Sequence, residues 1–156
     1  MNKCAMFGHR DCPTDIFEEL CIQIEKLYLE QGVTEFYVGY QGQFDSIARK
    51  AIRFVKCAYP EIQCVVTLAY FPTPDRLPLL HENEITCFPE GIETAPPRFG
   101  IDYRNRWMVA QCEYVLCYIT RSFGGAAKYV ERARKKGKTI INVGEKDAAE
   151  GKKKTD

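Results

Sequence analysis

Five short apolar runs, each separated from the next by a helix-like or irregular stretch, constrain this chain most. They lie at 3–7 (Lys-Cys-Ala-Met-Phe), 34–38, 62–70, 114–119 and 139–143. Each is rich in β-branched, aromatic or thiol side chains, as buried strands are. Between the first two, Thr14 is placed to cap a helix bearing Phe17, Leu20, Ile24, Leu27 and Tyr28 on one face, ended by Gly32. A second helix fits 44–59, stopped by Pro60, a third about 102–112, and a fourth from Gly124-Gly125 to about Lys136. Strands alternating with helices, joined by right-handed crossovers, give a parallel sheet with helices on both faces. The expected fold is therefore α/β, a Rossmann-like three-layer sandwich on a mainly parallel five-stranded sheet of order 3-2-1-4-5.

The rhythm fails once. Residues 71–100 hold six of the eight prolines and little periodicity, so we expect an extended excursion, with a short strand near Thr86-Cys87-Phe88. With 156 residues, one domain over 1–144 and a charged tail over 145–156 are expected. A composition of 46% hydrophobic and 28% charged residues excludes a disordered or fibrous chain.

A net charge of +1 makes neither bulk nucleic acid nor a membrane the expected partner. No apolar run approaches the roughly 18 residues of a membrane span, and the start lacks the apolar stretch of a signal peptide. A cytoplasmic location is the expectation. The eight cysteines contain no C-x-x-C pair and fall mostly in apolar runs, as reduced, buried thiols do. With only His9 and His81 beside them, no metal site is expected, and no cofactor is called for.

In such sheets ligands bind outside the carboxyl ends of the strands, where the strand order reverses. The first strand ends in Gly8-His9-Arg10, a glycine with an arginine fork suited to phosphate, or an ordinary exposed loop. The second ends in Gly39-Tyr40-Gln41-Gly42-Gln43-Phe44-Asp45. That is neither a G-x-G-x-x-G fingerprint nor a Walker A loop. Asp45 is compatible with capping a helix and with contacting a sugar hydroxyl or base. Arg104, Asn105 and Arg106 fan over the helix before the fourth strand, either as a solvated face or as ligand contacts. After that strand, Gly124-Gly125-Ala126 opens a helix whose free N–H groups and dipole suit an anion.

Taken in order, Gly8-His9-Arg10, Tyr37-Val38-Gly39 with Gly42-Gln43-Phe44-Asp45, Arg104 to Val109, and Gly124 to Lys128 resemble the SLOG superfamily. It groups Rossmann-like domains related to the Smf/DprA DNA-processing proteins and the LOG phosphoribohydrolases. The likeness spans about residues 3–143 and is nearest to small, stand-alone bacterial and phage members. It implies a nucleotide-like small-molecule ligand with phosphate at Gly124-Gly125, and a possible homo-oligomer. In LOG enzymes a Gly-Gly-x-Gly-Thr-x-x-Glu stretch supplies a catalytic glutamate, assisted by an arginine; these positions fall on Glu131 and Arg106. Ala127 and Lys128 depart from that stretch, and Phe123 stands where a proline is usual.

Three functions follow in order of expectation. The first is a binding or sensing domain for a phosphorylated nucleotide-like ligand. The second is an enzyme acting at an N-glycosidic bond through Glu131 or Asp45, with Glu90 and Glu93 able to close over the site. The third, single-stranded DNA binding by analogy with the Smf relatives, needs a basic groove with stacking aromatics.

Overall fold

The structure is a computed structural model that describes residues 2–70 and 79–147. Residues 71–78 of the expected excursion and 148–156 of the expected tail lie outside the described residues. The strands are β1 (Asn2–Gly8), β2 (Val33–Val38), β3 (Gln63–Thr67), β4 (Glu84–Cys87), β5 (Tyr114–Tyr118) and β6 (Thr139–Asn142). The helices are α1 (Phe17–Gln31), α2 (Gln43–Lys56), α3 (Gly100–Gln111) and α4 (Gly125–Lys135).

The six strands form one sheet of order β4-β3-β2-β1-β5-β6, parallel throughout. This is the expected order with one strand added at the edge. The addition is the short segment anticipated near Thr86, which pairs Cys64 with Glu84 through Thr67 with Cys87. It is four residues long and its Ile85 and Thr86 are exposed, so it carries little hydrophobic signal. A buried ion pair holds it instead: Arg49 of α2 reaches Glu84 at 2.8 Å. Glu84 also accepts the His81 N–H at 2.6 Å.

Alternation along the strands sends side chains to two separate cores. Cys4, Met6, Phe36, Val38, Cys64, Val66 and Leu116 face α1 and α2. Ala5, Phe7, Tyr37, Val65, Val115 and Cys117 face α3 and α4. All eight cysteines are free thiols, five of them buried.

Several element ends differ from expectation. Thr14 opens a 3-10 turn, Thr14–Ile16, and caps nothing through its side chain. α2 stops at Lys56, and α3 starts at Gly100, because a 3-10 turn at Pro97–Phe99 leads straight into it. A side chain at Gly100 would run into the Ala69 carbonyl, so only glycine lets α3 begin against the end of the β3 segment. Beyond β6, Tyr118 donates its hydroxyl to Asp147 at 2.7 Å, which ties the described start of the tail to the sheet.

Candidate functional site

The strand order reverses between β1 and β5, and a cavity of about 330 Å³ opens at their carboxyl ends. The loops after β1, β2 and β5, the starts of α2 and α4, and the inner face of α3 feed it. Of the residues singled out in the sequence, Gly8, His9, Arg10, Gly39, Asp45, Arg104, Asn105, Gly124, Gly125 and Ala126 line it. Gly42 does not; it has φ 89° and lies against the Arg10 side chain, where a Cβ would stand 2.7 Å from Arg10 Cγ. Glu131 and Arg106, the pair placed in catalysis by resemblance, lie outside this cavity. Both border a separate surface depression between α3 and α4. Glu131 is exposed and bound to Arg134 at 2.6 Å. Arg106 is exposed and paired with Asp102 at 3.7 Å.

The floor of the cavity is charged. Arg104 is only 4% exposed. Its Nε donates to Asn105 Oδ1 at 3.1 Å, while Nη1 is buried without a hydrogen-bond partner. Burying a guanidinium unsatisfied is costly, so this atom points to a missing acceptor. Burial holds its pKa below the ordinary value, against the stabilising field of Asp45.

Asp45, in the first turn of α2, accepts the Gln41 N–H at 3.0 Å. That bond ties it to the loop before the helix: the cap residue is Gly42, and no side chain caps α2. Burial pushes its pKa up to about 6, opposed by the Gln41 N–H and by Arg104, Arg10 and Arg49 acting through space. Gly39 separates the two charges. A Cβ there would stand 2.7 Å from Asp45 Oδ2 and 3.1 Å from both Arg104 Nη atoms.

The walls are built from the neighbouring loops. His9 is buried, and its Nε2 accepts the Thr120 N–H at 3.1 Å, which staples the loop after β1 to the loop after β5. Burial, then the Arg121 guanidinium, lowers its pKa, in keeping with that neutral acceptor role. Gly8 lets the Phe44 ring pack beneath the loop; any side chain there would overlap the ring. α4 starts at Gly125 with its first amides exposed, and nothing stands within 4 Å of where a Gly125 Cβ would be. Arg121 pairs with Asp11 at 3.1 Å and lies over the Phe123 ring at 5.3 Å.

Sequence reasoning did not single out Gln41, Arg121 or Tyr129 as site residues, yet all three line the cavity. Tyr129 is the back wall: it stacks on Phe7 and donates to Asp102 at 2.5 Å. Its position four residues after Gly125, on the buried face of α4, was the available signal.

No protein-family model and no curated protein matches the sequence. Solved structures do match the fold. DNA processing protein A (DprA) from Streptococcus pneumoniae superposes with a TM-score of 0.60 at 16% identity, over 91% of this chain and 50% of that one. DprA from Helicobacter pylori, described for its unique single-stranded DNA binding mode, gives 0.62 at 17% identity, over 90% and 64%. The chain thus spans half to under two thirds of these relatives. The likeness bears out the SLOG resemblance at the level of fold. It also corrects the expectation that nucleic acid is not a partner, since a protein of this fold binds single-stranded DNA. Net charge misled because it averages the surface, whereas Arg10, Arg104 and Arg121 gather at one cleft.

Proposed function

We propose that this chain binds single-stranded DNA, seating one nucleotide unit and its phosphate in the cleft between β1 and β5. The observation that carries this reading is the buried, unpartnered Nη1 of Arg104, aimed into a cleft that the amide end of α4 also borders. The helix N-terminus suits the phosphate, and the guanidinium offers a charged donor to the nucleotide unit that carries it. The DprA fold supports a strand rather than a lone anion as the ligand. Exposed Phe123, next in sequence to the cavity-lining Gly124, adds an aromatic face of the kind single strands stack on. The cysteines and the lack of any apolar run of spanning length favour the cytosol as the setting.

A free nucleotide is the second reading, favoured by one observation: the cavity, about 330 Å³, has room for one nucleotide. The N-glycosidic reading loses Glu131 as its carboxylate at this cleft, since Glu131 faces Arg134 on the outer surface; of its other carboxylates Asp45 lines the cleft, and Glu90 and Glu93 do not.

The test is fluorescence anisotropy with a labelled oligothymidylate. Arg104→Ala should weaken binding about tenfold or more, as losing a charge-assisted hydrogen bond does. Arg106→Ala, which removes an exposed, ion-paired side chain, should change it by about threefold or less. Equal losses, or no binding by the wild type, would overturn the assignment. Binding of mononucleotides that depends on Arg104, without binding of the strand, would favour the second reading.

A further inference from the structure

The cleft contains a group that a phosphate does not need. Asp45 lies beside Arg104 with Gly39 between them, so a carboxylate and a guanidinium face one space. An anion seated there alone would be repelled by the carboxylate. Resting on the single-stranded DNA reading above, we propose that Asp45 accepts a hydrogen bond from a nucleobase N–H while Arg104 donates to the adjoining carbonyl, so that the cleft reads a base together with its phosphate.

Asp45 has acceptor capacity to spare. Among the described residues its one hydrogen bond comes from the Gln41 N–H, whereas an ionised carboxylate offers about four lone-pair sites. The cations that face it are Arg104 from α3, Arg10 from the loop after β1 and Arg49 from α2 itself. All three act through space and none donates to it, so the carboxylate is not consumed in an ion pair. Arg104 Nη1 is the complementary orphan: a buried donor with no acceptor.

An adjacent acceptor and donor are what an imide or lactam edge presents, as in thymine, uracil or guanine. The interior of a DNA strand narrows the choice further. Its sugar-phosphate backbone has no N–H or O–H donor, so a donor reaching Asp45 must belong to a base. Glycine at 39 fits this arrangement, because any side chain would fill the gap between the two charges. With Arg104 given to the base, the phosphate goes to the α4 amides at Gly125 and to Arg121, which line the same cavity.

The experiment compares two strands of equal length at pH 8: oligothymidylate and a strand of abasic tetrahydrofuran units. Wild type should bind the thymidylate strand about tenfold or more tightly than the abasic one. Asp45→Asn should weaken thymidylate binding by a similar factor and leave abasic binding unchanged or tighter. Equal wild-type affinity for the two strands overturns the proposal without using any variant. So does an Asp45→Asn variant that tightens both, the sign expected if a phosphate lies against the carboxylate. If both strands bind equally and Arg104→Ala abolishes both, the DNA-binding reading stands and this inference alone falls. If wild type binds neither strand, both fall together. A thermal melt of Asp45→Asn establishes that it is folded.

Discussion

Asp45 stores a cost in the folded protein. Burial raises its pKa from 3.8 to about 6, so between those values the folded chain holds a proton that the unfolded chain releases. Its contribution to stability is therefore favourable at low pH and is lost as pH rises through about 6. Asp45→Asn removes the charge but keeps an oxygen for the Gln41 N–H. It should raise thermal stability at pH 8 by up to about 3 kcal/mol, and the difference should vanish below about pH 4. His9 works the other way: its lowered pKa stabilises above the ordinary histidine value and less as pH falls. Measuring the variant against wild type at each pH cancels that contribution. A destabilised Asp45→Asn at pH 8 would mean that the ionised carboxylate holds the loop after β2 more strongly than burial penalises it. Arg104 shows how much of the site could be read from sequence. Its inward aim was legible, since Arg104, Asn105, Met108 and Val109 are the buried face of α3. Helical spacing puts Arg106 on the opposite side, but the family correspondence drew attention to it instead. Gln41 and Arg121 were not legible, because loop backbone with no period decides where they point.

At the scale of elements, the start of α4 carries the sharpest expectation. Gly124 has φ 99° and serves as cap, whereas Gly125 has no positive φ and open space beside it. Gly125→Ala should therefore fold normally and bind nearly as wild type. Gly125→Asp should also fold, since an aspartate in the first turn favours the helix dipole by about 0.3–1 kcal/mol. It should lose at least about tenfold in affinity for a phosphorylated strand, because its carboxylate occupies and repels the phosphate position. Titration calorimetry alongside a thermal melt separates the two effects. Unchanged binding by Gly125→Asp would move the phosphate away from α4. The helices themselves were legible from apolar spacing and glycine or proline stops. β4 was only half legible, because its anchor is the Arg49–Glu84 pair, a contact between residues 35 positions apart. No local pattern encodes such a pair.

For the whole molecule, a net charge of +1 and a three-arginine cleft make a quantitative statement about salt. Binding a single strand releases counterions, and log K falls against log salt with a slope of about −0.7 for each phosphate neutralised. The other cations near the cleft are partly spent. Arg106 and Lys128 share Asp102, and Arg134 is held by Glu131. Arg10, Arg104 and Arg121 remain as the cations lining the cavity, with Arg121 paired to an exposed Asp11. Arg104 meets the base carbonyl, so Arg10 and Arg121 are left for the phosphate in the cleft and its neighbour along the strand, and the slope is about −1.4. Arg121→Ala should reduce the magnitude by about 0.7, and Lys135→Ala with Lys136→Ala, at the far end of α4, should leave it unchanged. The measurement is oligothymidylate anisotropy over a sodium chloride series at pH 8. A slope steeper than about −4 would mean that the strand runs on across the α3–α4 surface, beyond the cleft. A slope near zero would mean that the occupant carries no phosphate, and the cleft would then have to be read from Asp45 and Arg104 alone.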